Sequence, residues 1–278
     1  MGKIMEFKEI NVSECNPFRD NPFKVKDDLG MEMLVQSIKE NGVMVPIMVR
    51  PQIEIGYEIV SGHRRVYACK KAGVEKIPAF IRQMSRDEAV ICMVDSNLHR
   101  EGLLPSEKAF AYKLKMEALK HQGRSGQDGQ KWSRDEITDT ESGRTVQRYI
   151  RLTNLEKPLL DLVDQGRIAL TPAVELSYLQ PEEQRIVIRF FESDEVTPSY
   201  SQSVRMRKLS EMGLLSEDRI CEILSELKGN QKEFIKLPME RYDRYLGKFT
   251  SIKDKEAFIM KALDHYTKYL ERQRSWER

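Results

Sequence analysis

No stretch of this 278-residue chain approaches the roughly 18 consecutive apolar residues of a membrane span, so a transmembrane helix and a membrane role are not expected. Cysteine is scarce. Cys15, Cys69, Cys92 and Cys221 are scattered with no CxxC pair, which excludes a zinc ribbon or a disulfide framework and suits a reducing, cytoplasmic setting. The first residues lack the long apolar core of a signal peptide, so export is not expected either. An excess of one charge is also missing: 46 basic residues against 44 acidic ones leave +2. What is present is enough apolar material to fold. Hydrophobic residues make up 40% and aromatics 8%, which builds a core, and the length suits two or three domains. Charged residues reach 32% and mean hydropathy is −0.55, the balance of a water-soluble and rather helical protein.

The small net charge hides an uneven distribution. Gly62–Lys71 (GHRRVYACKK) carries four basic residues and no acid, and Ser142–Thr153 (SGRTVQRYIRLT) carries three and no acid. Against a whole-chain balance of +2, those windows hold +7 and leave −5 to the remainder. Positive charge collected in two places is what a protein gripping phosphates at two sites needs.

Residues 1–82 alternate strand and helix patterns. Strands are expected at Lys3–Val12, Val43–Arg50, Tyr57–Val60 and Ile77–Arg82. Leu34, Val35 and Ile38 fall at helical spacing before a stop at Asn41-Gly42, and a second helix runs from Gly62 to about Lys71, ended by Gly73. Ser85-Arg86-Asp87-Glu88 is a capping box for a helix to about Leu98. From Leu103 the strand signal fades. Pro105 opens a helix carrying Phe110, Leu114 and Leu119, and Gln122–Lys131 reads as an exposed loop. Ser133 and Ser142 cap two further helices, Pro158–Gln165 and Pro172–Leu179 read as short ones, and a linker near Glu192–Ser203 leads to a helical C-terminal region. The fold class expected is α+β: a mixed α/β domain over 1–102, an all-α DNA-binding domain over 103–192, and a helical region over 193–278.

Two constellations carry chemistry. In Tyr57–Arg65 (YEIVSGHRR) a glycine sits between a strand and a helix, where exposed N–H groups favour an anion and two adjacent guanidinium forks suit phosphate oxygens. Asp95–Glu101 (DSNLHRE) adds a carboxylate, an amide, an imidazole and a guanidinium where one helix ends and the next begins. In the second constellation Arg144, Gln147, Arg148 and Arg151 recur at i, i+3, i+4 and i+7, with Thr145 beside them, while Val146, Tyr149 and Ile150 point the other way. That is the layout of a DNA recognition helix, an apolar side to dock and Arg and Gln side chains for base edges.

The order "SIKENGVMVPIMVR", "GYEIVSGHRRVYACKKAGVEKIPAFIR", "DSNLHREGLLPSEKAFAYKLKMEA" resembles the ParB family of partition proteins over roughly residues 5–180. The resemblance implies a ParB/sulfiredoxin-like nucleotide-binding domain followed by a helix-turn-helix. It also implies that Gly62, His63, Arg64, Arg65, Asn97 and Arg100 bind CTP, with Asn97 toward Mg²⁺. Two departures stand out: His63 and Ser96 occupy positions where the family commonly carries Glu. Losing that carboxylate leaves Asn97, with Asp95 nearby, to meet a hard cation that prefers oxygen, so CTP binding is expected with slow or absent turnover. The turn between Ile137 and Val146 is shorter than the family's and lacks its usual apolar residue and glycine.

By the same resemblance the protein binds double-stranded DNA at a palindromic, centromere-like site, as a homodimer, in partition of a plasmid, mobile element or chromosome. Association with nucleoid or plasmid is then expected. A ParA-type ATPase is a family partner that no residue here supports, because the first strand is expected from about residue 3 with no basic tail ahead of it. Ile259, Ala262, Tyr266, Tyr269 and Gln273 stripe a helix from about Lys253 to Gln273, widened by Phe258, Leu263 and Leu270. Packing within the subunit and dimerisation explain that stripe equally well. Met5, Met31, Met33, Met44 and Met48 read as core filler. Two other functions stay open. One is a metal-dependent nuclease or phosphoesterase using His63 and His99, although no acidic ligand cluster accompanies them. The other is a transcription regulator that needs no nucleotide.

Overall fold

The structure, a computed structural model, describes residues 5–52, 56–121, 141–194, 197–226, 239–248 and 251–276. Two compact units divide the chain at Glu226.

The first unit begins with a mixed five-stranded sheet. Strands β1 (Met5–Asn11), β2 (Cys15–Asn16), β3 (Ile47–Gln52), β4 (Gly56–Ser61) and β5 (Lys76–Arg82) lie in the order β1-β5-β3-β4-β2. β1 runs antiparallel to β5, from Met5 opposite Arg82 to Asn11 opposite Lys76. β3 pairs parallel with β5 and antiparallel with β4. Helix α1 (Leu29–Asn41) starts where the Asp28 carboxylate accepts from the Met31 N–H, and stops at Gly42. Helix α2 (His63–Ala72) is bounded by glycines at both ends, Gly62 and Gly73. Together they cover one sheet face, where Ile10, Ile47, Val49, Ile77 and Ala79 meet Met31, Ile38, Val66 and Cys69.

The opposite face is closed by α3 (Arg86–Leu98), with its capping box formed as expected by Ser85 and Glu88, and by α4 (Pro105–His121). Val60 packs there with Phe18, Phe23, Met93, Val94 and Ala111. α4 is shared between cores. Its Ala111 and Ala118 face the sheet side, Ala109 joins the helical core beyond, and Tyr112 meets Val146. Phe110 lies largely exposed.

The helical part comprises α5 (Gly143–Arg151), α6 (Lys157–Asp164), α7 (Leu170–Leu176), α8 (Pro181–Asp194), α9 (Tyr200–Glu211) and α10 (Glu217–Ser225). Leu152, Leu159, Leu176, Val187, Met206, Ile220 and Ile223 form one core. The linker expected at Glu192–Ser203 is mostly helix instead: α8 runs on to Asp194, and α9 begins with Ser199 and Gln202 in a reciprocal capping box. Gln202 also donates to the Ile223 carbonyl at 2.6 Å, a buried bond that a solvated linker residue could not make. The methionine reading needs correction too. Met31 is fully buried and Met48 packs against the α3 side, but Met5, Met33 and Met44 are exposed because they face away from both sheet cores.

The second unit contains α11 (Met239–Leu246) and α12 (Ile252–Trp276). α12 matches the helix expected there, and Phe258, Leu263, Tyr266, Tyr269 and Leu270 lie exposed along it. Among the described residues, no helix is long and apolar enough to cross a membrane.

Candidate functional site

The passage from β4 into α2 is set by Gly62. Its φ of 104° is a conformation L side chains avoid, and an added Cβ would lie 2.6 Å from Ile47 Cγ2. No side chain caps α2 and its first turn holds no acid, so the helix start remains open to an anion. The residues that follow diverge. Arg65 turns inward and donates to the carbonyls of Val45 and Pro46, clamping the loop before β3, and burial pushes its guanidinium pKa down. Arg64 reaches the Asp28 carboxylate at 3.3 Å. His63 is buried enough that its pKa falls to about 4, so the ring is neutral at physiological pH. Its Nε2 accepts from the Phe18 N–H at 3.3 Å, which places the ring proton on Nδ1.

The end of α3 supplies the other wall. The Asn97 side-chain amide donates to the Met93 carbonyl at 2.8 Å, while Arg100 is exposed and has no carboxylate partner among the described residues. Gly62, His63, Arg64, Arg65, Asn97 and Arg100 all line one cleft of about 440 Å³. Asn21, Phe23, Lys24 and Ser96 line it too, and sequence reasoning had not singled out the first three. Among the described lining residues four are cationic and none is acidic, a wall suited to a polyanion.

The loop carrying Lys24 is held by a carboxylate from outside the cleft. Glu107, buried on the first turn of α4, accepts from the Lys24 N–H at 2.9 Å and from the Leu104 N–H at 3.0 Å. Next to it, Ser106 donates through its N–H and hydroxyl to Asp164 of α6. The cleft loop, the start of α4 and the helical core are thus linked through two neighbouring residues.

The residues present do not fit a protein-held Mg²⁺. Asn97 offers one neutral oxygen, no described acid lines the cleft, and Asp95 points to α4, where Lys115 binds it. Among the described residues no group of three or more His, Cys, Asp or Glu side chains is placed to hold a metal.

In the helical part, Ser142 caps α5 as expected, accepting from the Thr145 N–H and pairing with its hydroxyl at 3.0 Å. The helix expected from Ser133 lies outside the described residues. Val146 is fully buried against Tyr112, with Tyr149 and Ile150 beside it. The polar residues fan out rather than sharing one open face. Arg144 is exposed, Gln147 lies against Met116 of α4, and Arg148 donates to the Thr171 hydroxyl of α7. Arg151 turns furthest inward. It donates to the Ser177 carbonyl at 3.2 Å and stacks 3.8 Å from the Tyr178 ring centroid, and its buried Nε has no hydrogen-bond partner among the described residues. Arg207 covers the same ring at 3.7 Å, so Tyr178 sits against two guanidinium groups.

An α/β domain with a cationic cleft, followed by a helical core that presents a capped basic helix, defines the class of protein. Residues 2–98 match the ParB N-terminal domain. A probable chromosome 1-partitioning protein ParB of Deinococcus radiodurans is 36% identical over 166 residues, 59% of this chain and 53% of that protein. The chromosome-partitioning protein Spo0J of Thermus thermophilus is 30% identical over 182 residues, 63% of this chain and 61% of its own length. A nucleoid occlusion protein of Bacillus mycoides is 29% identical over 234 residues, covering 82% and 70%. The chain thus spans a little over half of the first two relatives. Among solved structures, Caulobacter crescentus ParB complexed to the centromeric parS site aligns with TM-score 0.43 and 20% identity over 74% of this chain and 99% of that one. A pNOB8-like ParB N-domain aligns with TM-score 0.45 and 17% identity over 81% and 100%.

Proposed function

We propose that this chain is a sequence-specific DNA-binding protein of the ParB type that is switched by CTP and acts in partition of a chromosome, plasmid or mobile element. The observation that carries the reading is the convergence of two separate segments, Gly62–Arg65 and Ser96–Arg100, on one cleft with four cations and no acid. Phosphates sit at the open start of α2, Arg64, Lys24 and Arg100 supply charge, and Arg65 holds the wall. Cytosine preference comes from the family alone. The lining offers a hard cation no carboxylate and at most the Asn97 oxygen, which favours nucleotide binding over turnover. DNA is met by α5, Arg144 reaching out first and Gln147, Arg148 and Thr145 following. Two subunits pair through the exposed stripe of α12, matching a two-fold DNA site. A ligand of this kind acts by binding one conformer more tightly than another.

The test is selection of bound DNA fragments with and without CTP, followed by calorimetric titration with each nucleotide. One recovered sequence whose binding responds to CTP and not to ATP or GTP is the expected result. Recovery of no preferred sequence, or no heat with CTP at millimolar concentration with or without DNA, would refute it.

A further inference from the structure

The strand at one edge of the sheet has no role in either basic site. Among the described residues β1 is an outer strand, paired only on its β5 side, and of its seven residues only Ile10 is buried. A free edge presents a row of unpaired backbone groups, and proteins normally blunt it. Here the edge carries exposed Phe7, 60% accessible, its ring tilted 56° against Phe80 of β5 at 5.5 Å, and exposed Met5 on the same face. Glu6 and Lys8 flank Phe7 on the opposite face, alternate residues of a strand pointing to opposite sides.

We infer that β1 is a self-complementary docking edge whose partner is β1 of a second copy of this chain. Laying two copies antiparallel about Phe7 sets each Phe7 opposite the other, Glu6 opposite Lys8 of the second copy, and Lys8 opposite its Glu6. Both sheets then continue as one, with an aromatic row Phe80-Phe7-Phe7-Phe80 on one face and two ion pairs on the other. Directly opposed aromatic and opposite-charge pairs stabilise an antiparallel ladder, whereas like charges there destabilise it. The two-fold arrangement uses the same patch twice, as an isologous contact does. One strand edge buries far less than the ~1,200 Å² of a stable complex, so the contact is weak and forms where copies are already held close together. It is separate from the α12 pairing proposed above and does not depend on nucleotide.

The experiment is oxidative cross-linking of the full-length protein carrying Phe7→Cys, with Asn11→Cys as the control. Residue 7 faces its own copy across the two-fold axis, close enough for a disulfide, whereas the two copies of residue 11 lie roughly 27 Å apart along the strands. Cys15 and Cys69 are buried, and the wild-type protein sets the background from the four native thiols. Phe7→Cys is expected to cross-link and Asn11→Cys to remain at background. Adding Lys8→Glu opposes like charges on both sides and slows the reaction about tenfold, and adding Glu6→Lys to that variant restores it. Cross-linking of Phe7→Cys no faster than of Asn11→Cys, or a Lys8→Glu defect that Glu6→Lys fails to rescue, would overturn the inference. Both charged side chains are exposed, so these variants leave the core intact.

Discussion

In the cleft, Arg64 makes one long contact with Asp28 and Arg100 meets no described carboxylate, whereas on α5 both Arg148 and Arg151 spend donors on α7. An incoming phosphate at the first region displaces little but water. At the second, the DNA base or phosphate proposed to meet α5 would have to use the donors that Thr171, Ser177 and Tyr178 leave over, or compete for them. Arginine has five donors in a fixed fork, so partial engagement still leaves recognition capacity. The cleft is therefore a site with spare charge on a frame that only glycine at position 62 accommodates, and α5 is a site where two of three arginines already take part in the fold. Arg65 crosses this division: it lines the cleft yet works as an internal clamp.

The largest effect should come from attacking the frame. Gly62→Ala forces a side chain into a positive-φ conformation and against Ile47, which should cost about 2–4 kcal/mol in urea unfolding and remove nucleotide binding with it. A variant as stable as the wild type would show that the turn relaxes without penalty.

The next largest follows from the buried imidazole. His63 has its pKa lowered from 6.5 to about 4, so the unfolded chain binds the extra proton between those values. Its contribution is therefore complete above the unfolded pKa and lost as pH falls toward 4, up to about 3 kcal/mol. His63→Gln keeps a hydrogen-bonding side chain and removes the titration. Urea midpoints at about pH 7 and about pH 4.5 should fall less for the variant than for the wild type; parallel losses would place the acid sensitivity elsewhere.

Spare and spent arginines then separate by two readouts. Arg100→Ala should weaken nucleotide binding about tenfold to a hundredfold with unchanged stability, since an exposed charge-assisted contact is lost and no internal one is. Arg65→Ala should lower both, with about 1–2 kcal/mol of stability going with its carbonyl contacts. Equal stability of the two variants would erase the distinction drawn here. The smallest contrast lies on α5. Arg148→Ala and Gln147→Ala should each cost about 1–3 kcal/mol on the specific duplex and less on random DNA, whereas Arg144→Ala should weaken both alike and reduce the salt slope by about one. Competition binding at two salt concentrations decides it, and uniform losses from all three would mean that α5 anchors without reading.

Local chemistry made much of this legible from the amino acids alone. Ser85 with Glu88, Ser142 before α5, the Asn41-Gly42 stop, and Gly62 and Gly73 around α2 act within one helical turn, and each stands where its pattern predicts. The six cleft residues were marked by resemblance and by clustering of charge, and the fold brings them together. Other features depend on distant partners. Lys24 reaches the cleft wall only because Glu107 holds its backbone, and Arg151 turns inward only because Tyr178 arrives from α7's far end. Helical periodicity assigns a side chain to a face but cannot say what will lie against it. The capping box at Ser199 and Gln202 did carry a local signal, hidden because a proline-flanked polar stretch also reads as a linker. β2 spans only two residues and has no pattern to detect.

Glu107 has a consequence for how the molecule breathes. Its two oxygens are committed to amides from segments far apart in sequence, Lys24 and Leu104, inside a buried setting where losing either donor is costly. Those two amides should therefore share one opening event and exchange their hydrogens with solvent at a common rate, although one belongs to the cleft loop and the other to the approach to α4. Whatever stills the loop stills the helix start in the same measure, and a tremor in one is a tremor in both.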